Sequence, residues 1–368
     1  MAQAEHTLPQ ALAAYDFGGS DAAAARFGEG HINDTFLVET RAGRFILQRV
    51  SPTAFKEPDK LMENIVNITD YLAREIKRLG GDPSRETLSV IRTRQGGAGF
   101  TDSEGGAWRA FPFVEDTVCF QAAETPSLFA ASGRAFGRFQ RLLRDYPADT
   151  LHETIPRFHD TENRLQNLKN AVAADPLGRA KGCAADIAFV LAREADCSVA
   201  LRALRDGLLP LRVTHNDTKL NNVLMDAKTG EALCVIDLDT VMPGLSINDF
   251  GDSIRFGANH SAEDEPDLSK VNLDMDLFAV YTAAFLEEAG EALTEAEIRY
   301  LPWGAKLMTL ECGMRFLTDY LEGDNYFHIS REGQNLDRAR TQFKLVADME
   351  EHWDQLNAIV SQYIPADR

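Results

Sequence analysis

The sequence has little cysteine and no long apolar run. It contains 5 cysteines in 368 residues, an odd number, and none of them forms a C-x-x-C pair. A disulfide framework is therefore not predicted, and reduced thiols are the simplest interpretation. No apolar run approaches the ~18 residues of a membrane span, and the N-terminal residues lack the basic and apolar regions of a secretory signal. We expect a cytoplasmic protein without a membrane partner.

Positive charge is also scarce. The chain has 38 Lys and Arg residues against 57 Asp and Glu residues, a formal net charge of −19, and no long stretch is rich in Lys or Arg. Nucleic acids and acidic lipid surfaces recruit clustered cations, so neither is expected as a partner. Any phosphate group that the protein handles must be neutralised locally.

The first third of the chain has the pattern of a small, mostly antiparallel sheet with one helix. Short β-rich runs occupy residues 36–38, 44–50, 87–93 and 107–114, with turn residues between them. Residues 60–79 have apolar side chains every three or four positions and end in Gly80-Gly81, which predicts an amphipathic helix.

The rest of the chain is mainly helical, so the predicted fold class is α+β. The exception is residues 213–240, where short β-rich runs flank a turn. Because the sequence pattern changes from β-rich to helical after residue 114, we expect an N-terminal lobe at 1–114, a C-terminal lobe at 115–368 and a hinge at about 113–117. Helices are predicted at residues 126–145, 160–174, 184–204, 275–289, 295–321 and 335–360.

The most informative motif is H-x-D-x-K-x-x-N, which begins at His215 and is followed by an apolar strand that ends in Asp237. Phosphoryl transfer from ATP needs a carboxylate to orient and deprotonate the attacking hydroxyl, and hard oxygen ligands for Mg²⁺. The motif supplies Asp217 as the base, and Asn222 and Asp237 as metal ligands. Lys219 is close enough in the chain to stabilise the transferring phosphoryl group.

Two further aspartates leave alternatives open. Asp237 and Asp239 also fit the D-x-D signature of haloacid-dehalogenase-type phosphatases, in which the first Asp is a nucleophile and the second an acid or base. The kinase interpretation explains more residues, since it also accounts for the preceding motif. Asp249 either accepts backbone hydrogen bonds from the catalytic loop or caps the helix that follows.

A glycine-containing segment near the N-terminus resembles a phosphate-binding loop. It includes Gly28 and Gly30, but Asn33 replaces the third glycine. The segment precedes a strand pair rather than a helix, which favours a kinase-type flap over a dinucleotide fold. His31 and Asn33 add hydrogen-bonding groups, and we expect this loop to face a ligand.

Two other predicted nucleotide contacts follow from position in the chain. Alternation along 45–50 places Gln48 where a kinase carries a strand lysine, so no ion pair is predicted there. The stretch from Phe113 to Glu115 lies where the two lobes should join, and it is the predicted edge for hydrogen bonds to adenine.

With these motifs, the chain resembles the aminoglycoside phosphotransferase and choline kinase superfamily, and within it the N-acetylhexosamine 1-kinases. The resemblance extends almost from end to end, and the same group carries Gln at the Gln48 position. The blocks that carry it are residues 30–33, 45–48, 105–109, 210–222, 235–240, 249–258, 311–324 and 326–327.

The resemblance implies a two-lobed, protein-kinase-like fold that uses ATP and Mg²⁺ to phosphorylate a sugar at its anomeric hydroxyl. The product would be the α-1-phosphate of N-acetylglucosamine or N-acetylgalactosamine, and both sugars remain open. Asp217 is implied as the base. The implied sugar contacts, besides Asp217, are His31, Asn33, Arg315 and Tyr326.

Other functional classes remain as alternatives. One is another small-molecule kinase of the same superfamily, acting on choline, homoserine or an aminoglycoside. Another is the D-x-D phosphatase that would use Asp237. A third is a non-catalytic nucleotide-binding module, which the imperfect glycine loop and Gln48 would fit but which the set of Asp217, Asn222 and Asp237 argues against.

Overall fold

The structure, a computed structural model, describes residues 2–19, 22–28 and 32–364. The chain divides into two compact units, each made of several segments. The first unit comprises Met1–Val118, Asp145–Pro156 and Leu224–Pro243, and the second comprises Cys119–Arg144, Arg157–Val223 and Gly244–Arg368.

The first unit is built on an antiparallel sheet of five strands in the order β1-β2-β3-β5-β4. Predicted strands near 36–38, 44–50 and 107–114 are present as β2, β3 and β5. The strands of the whole chain are β1 (Ala23–Arg26), β2 (Asp34–Thr40), β3 (Gly43–Arg49), β4 (Phe100–Thr101), β5 (Ala107–Pro112), β6 (Thr117–Val118), β7 (Arg212–Thr214), β8 (Val223–Asp226), β9 (Ala232–Val235) and β10 (Met242–Gly244).

A second, three-stranded sheet explains why the first unit is not continuous in sequence. Its order is β6-β8-β9, and Thr117 pairs with Asp226 across antiparallel strands. These backbone hydrogen bonds join the β8–β9 hairpin to the segment that ends at Val118. The first unit therefore includes residues 224–243, and it also contains residues 145–156; the predicted single boundary at residue 114 assigned both segments to the C-terminal lobe.

Helices supply most of the second unit, and within the first unit α1 packs against the five-stranded sheet. The α-helices are α1 (Ala2–Ala14), α2 (Pro58–Arg78), α3 (Pro83–Glu86), α4 (Pro126–Leu142), α5 (Thr161–Ala174), α6 (Ala184–Leu191), α7 (Val199–Arg205), α8 (Ser246–Gly257), α9 (Met275–Ala289), α10 (Glu295–Arg299), α11 (Leu301–Glu322), α12 (Gln334–Glu351) and α13 (Trp353–Ser361). The predicted α+β class is confirmed.

Helix α2 follows the predicted periodicity closely. Pro58 lies in its first turn, where the missing N–H costs nothing, and Gly80 follows its end with a φ of +83°. Its apolar stripe is buried, including Leu61, Ile65, Ile68, Leu72 and Ile76. Helix α1 was not predicted, and Pro9 lies inside it.

Two helices of the second unit approach each other closely through glycines. A Cβ atom on Gly251 of α8 would lie 2.2 Å from the carbonyl oxygen of Gly304 on α11. A Cβ atom on Gly304 would lie 2.1 Å from the carbonyl oxygen of Ile247. Only glycine allows this spacing, and it brings α8, which follows the catalytic motif, against the long central helix α11.

Several predicted elements differ from the structure. Residues 87–93 do not form a ladder strand, since Thr93 makes only an isolated bridge with Tyr15. The helix predicted at 295–321 is divided at Tyr300, because Pro302 cannot continue a helix from the preceding turn. The helices predicted at 184–204 and 335–360 are likewise interrupted, the second at His352.

Across residues 2–19, 22–28 and 32–364, no helix is long and apolar enough to cross a membrane.

Candidate active site

The loop that carries the H-x-D-x-K-x-x-N motif is fixed by a buried carboxylate. Asp249 Oδ2 accepts a hydrogen bond from the backbone N–H of His215 at 2.9 Å, and Oδ1 accepts from that of Asn216 at 2.8 Å. Gln140 Nε2 donates to the same carboxylate at 2.6 Å. Burial raises the pKa of Asp249, and the donated hydrogen bonds only partly oppose this. Of the two interpretations of Asp249, support of the catalytic loop is confirmed.

A second carboxylate on α8 supports the other half of the loop. Asp252 accepts a hydrogen bond from the N–H of Thr218 at 3.0 Å and pairs with Arg255 at 2.8 Å. Burial opposes the charged form, but Arg255, Lys219 and His159 hold the pKa of Asp252 below its usual range. The sequence interpretation missed Asp252 and Arg255. Their i, i+3 spacing on a buried helix, beside a catalytic motif, was the available signal.

Asp217, Lys219 and Asn222 come together at the solvent-facing side of this loop. Lys219 Nζ lies 2.9 Å from Asp217 Oδ1, and the two side chains are 35% and 27% exposed. Asn222 Nδ2 donates to the backbone oxygen of Asp217 at 2.8 Å and to its Oδ2 at 3.1 Å. Burial lowers the pKa of Lys219, but Asp217 and Asp252 outweigh it, so the pKa is raised and the ammonium stays charged.

The orientation of the Asn222 amide fits a magnesium ligand. Because its nitrogen is turned towards Asp217, its oxygen faces the opposite way and is the atom available for a hard cation. Within the described part of the chain, no cluster of three or more His, Cys, Asp or Glu side chains is suited to hold a metal ion. A metal here would thus depend on amide oxygens and on the phosphates of a nucleotide as well as on carboxylates.

Asp237 belongs to the first unit. It follows β9 directly, is exposed and has a φ of +56°, which precedes a short 3-10 turn at Leu238–Thr240. A left-handed backbone at a non-glycine residue costs energy and is often found at functional positions. The role of Asp237 as a metal ligand stays a prediction.

A buried ion pair stands beside the position that lacks a lysine. Gln48 on β3 lies opposite Arg109 on β5 and accepts a hydrogen bond from its Nε at 2.9 Å. Arg109 also pairs with Asp239, and both side chains are almost fully buried. On its other side, Gln48 Nε2 donates to Thr35 Oγ1 at 3.0 Å. The sequence interpretation gave Arg109 no role, because alternation sets the face of a strand residue but not its partner on the next strand.

The predicted glycine loop is described only in part. Gly28 has a φ of +75°, and nothing lies within 4 Å of where its Cβ would be. Gly30 and His31 lie outside the described residues. Asn33 Nδ2 donates to Asp239 Oδ2 at 2.7 Å, and its Oδ1 accepts from the N–H of Ser51 at 2.9 Å. Both ends of the Asn33 amide are therefore bonded within the first unit, and its contact with a sugar stays a prediction.

The predicted adenine edge is bonded to neighbouring arginines. The N–H of Phe113 donates to the carbonyl oxygen of Arg44 at 3.0 Å, and the Arg44 guanidinium lies 4.2 Å from the Phe113 ring. The Glu115 carboxylate pairs with Arg44. The backbone carbonyl oxygen of Glu115 accepts a hydrogen bond from Arg85 Nη2 at 3.1 Å. The nucleotide contacts of Phe113 and Glu115 stay predictions.

The predicted sugar contacts Arg315 and Tyr326 lie together in the second unit. The Arg315 guanidinium is 5.8 Å from the centre of the Tyr326 ring, and the rings of Phe158 and Phe327 are at 5.5 and 5.4 Å. Tyr326 is 71% exposed, so its ring is open to solvent. An aromatic face and a cation beside it are suited to a polar ring compound.

A histidine that the sequence interpretation missed links this cluster to the catalytic loop. His159 Nδ1 lies 3.0 Å from Glu311 Oε1, and Nε2 lies 3.2 Å from the carbonyl oxygen of Asn216. Burial lowers the pKa of His159, but Glu311 outweighs it and the pKa is raised. Both ring nitrogens face oxygen acceptors, and an imidazolium can donate a hydrogen bond to each of them.

Comparison with known proteins decides the family. Residues 23–293, well over half of the chain, match the phosphotransferase enzyme family. The chain belongs to this family. The match spans Asp237 and Asp239, and in this phosphotransferase Asp239 is bonded to Arg109 and Asn33. The D-x-D phosphatase interpretation therefore has no support.

Solved structures share the fold of this phosphotransferase. A microcompartment-associated aminopropanol kinase has a TM-score of 0.62 at 18% identity, over 96% of this chain and 98% of that one. Choline kinase from Cryptosporidium parvum has 0.58 at 12%, over 95% of each chain. A spectinomycin phosphotransferase, solved with ADP and spectinomycin, has 0.52 at 13%, over 98% of each. These similarities confirm the predicted protein-kinase-like fold.

Proposed function

We propose that this phosphotransferase transfers the γ-phosphoryl group of ATP to the anomeric hydroxyl of N-acetylglucosamine or N-acetylgalactosamine, giving the α-1-phosphate. The observation that carries the transfer step is the loop held by Asp249, on which Asp217 is contacted by Lys219 and Asn222. The spectinomycin phosphotransferase of similar fold was solved with ADP, which supports an adenine nucleotide as co-substrate.

Asp217 orients the acceptor hydroxyl and takes its proton as the new phosphate ester bond forms. A carboxylate that is partly exposed and fixed on a rigid loop is suited to this task, because phosphoryl transfer depends mainly on positioning and charge stabilisation. Lys219 balances the charge of Asp217 before the substrate binds, and its ammonium is close enough to stabilise the transferring group.

Asn222 and Asp237 would hold Mg²⁺, and Gly28, Gly30, Gln48, Phe113 and Glu115 would contact the nucleotide. When bound, Mg²⁺ supplies charge neutralisation for the phosphates. With a net charge of −19, this protein has few cations to do so itself. Binding of ATP should therefore weaken strongly when Mg²⁺ is withheld.

The choice of an N-acetylhexosamine rests on the motif blocks and on the surroundings of Arg315. In that cluster, Tyr326 supplies an exposed aromatic face and Arg315 supplies donors for ring substituents. His31 and Asn33 are further proposed sugar contacts.

Phosphorus NMR tests this function with the purified protein, ATP and Mg²⁺. The acceptor panel contains N-acetylglucosamine, N-acetylgalactosamine, choline, homoserine and an aminoglycoside. We expect a sugar 1-phosphate resonance, coupled to the anomeric proton, with either N-acetylhexosamine. Phosphorylation of choline, homoserine or the aminoglycoside without any sugar 1-phosphate would replace the proposal with another small-molecule kinase activity.

A further inference from the structure

Arg164 on α5 is a half-buried cation that, among the described residues, lacks a hydrogen-bond partner at one of its nitrogens. Its Nη2 donates to the carbonyl oxygen of Phe158 at 2.7 Å. Its Nε is buried and has no hydrogen-bond partner among the described residues. An unsatisfied buried donor costs free energy, and in a native site it is a place where a ligand oxygen is expected.

A second guanidinium shares Phe158 with the first, since that of Arg315 lies 5.5 Å from the centre of the Phe158 ring. Burial lowers the pKa of Arg164, and the like charge of Arg315 lowers it further. Arg315 is in turn surrounded by the rings of Phe158, Tyr326 and Phe327. Two cations held together in a partly desolvated site repel each other, unless an oxygen-bearing group is bound there.

The nearby carboxylate does not satisfy this pair. Glu311 Oε1 is bonded to His159 Nδ1 at 3.0 Å, and its Oε2 accepts from Thr161 Oγ1 at 3.0 Å. The pKa of Glu311 is held below its usual range although burial opposes this, first by His159 and then by Arg164 and Arg315. Asp160, a second carboxylate that acts on Arg164, is bonded to Arg157 Nε at 2.6 Å and to the N–H of Asn163 at 2.8 Å, so both carboxylates are engaged by other donors.

The aromatic side of the cluster is fixed in place. The Asp319 carboxylate accepts hydrogen bonds from the backbone N–H groups of Asn325, Tyr326 and Phe327 at 2.9, 2.8 and 3.0 Å. Asn335 Nδ2 donates to the same carboxylate at 2.9 Å. These bonds hold the backbone of the loop that carries the exposed Tyr326 ring.

We propose that Arg164 and Arg315 form an oxygen-recognition pair, which selects acceptors that carry an acyl or carboxylate oxygen and rejects acceptors that carry an ammonium group. The inference rests on the proposed transfer of a phosphoryl group and extends it to the chemical class of the acceptor. An acyl or carboxylate oxygen accepts a hydrogen bond from the Nε–H of Arg164, whereas an ammonium group would be repelled by both arginines.

Three sugars that share one ring test this class. Glucosamine carries an ammonium group, N-acetylglucosamine an acyl oxygen and glucuronate a carboxylate. Binding is measured by isothermal titration with the wild-type protein, and turnover by release of ADP. We expect N-acetylglucosamine or glucuronate to be preferred over glucosamine by about tenfold or more, as one charged hydrogen bond and one repulsion imply.

A matched pair of variants separates recognition from folding. Arg164→Gln should reduce the preference for the oxygen-bearing sugar over glucosamine by about tenfold, and Arg164→Lys should keep part of it. Arg205→Gln is the control. Arg205 lies on α7, its side chain is exposed, and it pairs with Glu162 on α5, the helix that carries Arg164. An Arg164→Gln variant that loses all three sugars equally, or keeps the wild-type preference, would overturn the proposal.

The outcomes for the proposed function and for this inference are distinct. If glucuronate is bound or phosphorylated and N-acetylglucosamine is not, the oxygen-recognition pair stands and the N-acetylhexosamine activity fails. If the wild-type protein prefers glucosamine, or binds none of the three sugars, the oxygen-recognition pair is overturned, whatever other acceptor the enzyme phosphorylates.

Discussion

Arg109 on β5 donates a hydrogen bond from its Nε to Oε1 of Gln48 on β3, at 2.9 Å. The position where a kinase lysine was expected therefore holds an amide, and the guanidinium bonded to that amide stands on the neighbouring strand. Arg109 also pairs with Asp239, and the two side chains are 2% and 5% exposed. In a protein so rich in acidic residues, this buried guanidinium compensates a carboxylate that water cannot reach.

Arg109→Met should strongly destabilise the protein, because it leaves the Asp239 carboxylate buried without its partner. Removing one partner of a buried ion pair typically costs about 3–5 kcal/mol of the free energy of unfolding. Urea unfolding followed by circular dichroism measures this difference.

The control for Arg109→Met is Arg44→Met, which removes an arginine whose pair with Glu115 is exposed. We expect little change in stability there, since exposed pairs contribute little. Equal urea midpoints for the two variants would contradict the importance of the buried pair.

Asp249→Asn should slow turnover without much effect on ATP affinity. The amide that replaces the carboxylate has one acceptor oxygen, so either His215 or Asn216 loses the partner of its N–H. A small displacement of Asp217 then follows, and misplacement of a catalytic group by about 1 Å costs about 10²-fold in rate. Steady-state kinetics with varied ATP and varied sugar separate kcat from both KM values.

The control for Asp249→Asn is Asp226→Asn, because Asp226 bonds to the turn residues Lys228 and Thr229 instead of the catalytic loop. An unchanged kcat for Asp249→Asn would show that the loop keeps its shape without the carboxylate.

The ion pair of His159 and Glu311 should make stability depend on pH in a definite direction. The pKa of His159 is raised from 6.5 in the folded protein. The stabilisation by its charged form is therefore complete below about pH 6.5, and it is lost as the pH rises through the folded-state pKa. The pKa of Glu311 is lowered from 4.5, so its contribution is complete above that pH and is lost on acidification.

We therefore expect His159→Gln to lower the thermal midpoint more at about pH 6 than at about pH 9. Thermal unfolding of both proteins at the two pH values checks this. A difference between wild type and variant that is the same at both pH values would show that the imidazolium form does not stabilise the fold.

Local sequence patterns predicted the parts of this fold that depend on neighbours in the chain. The apolar spacing of α2 and the terminal Gly80 located that helix within two residues at its start. The motif from His215 to Asn222 likewise predicted that Asp217, Lys219 and Asn222 lie together, because they belong to one short loop.

Contacts between distant segments were the parts that sequence reasoning missed. Arg109 meets Asp239 across 130 positions, and His159 meets Glu311 across 152. Nothing in the local pattern of either residue marks such a partner, because an Arg in a strand or a His in a loop is compatible with many surroundings. The break at Tyr300 was missed for a different reason, since the apolar pattern continues through Pro302 although the backbone hydrogen bonds cannot.

The role of Asp217 as the base is tested most directly by the turnover of Asp217→Asn with ATP, Mg²⁺ and N-acetylglucosamine, compared with its affinity for ATP. The asparagine has one acceptor oxygen, so it keeps the bond from either Lys219 or Asn222, and it cannot take the acceptor proton. We predict a fall in kcat of about 10²–10⁴-fold, with a Kd for ATP close to that of the wild type. A variant that turns over as fast as the wild-type protein would contradict the assignment.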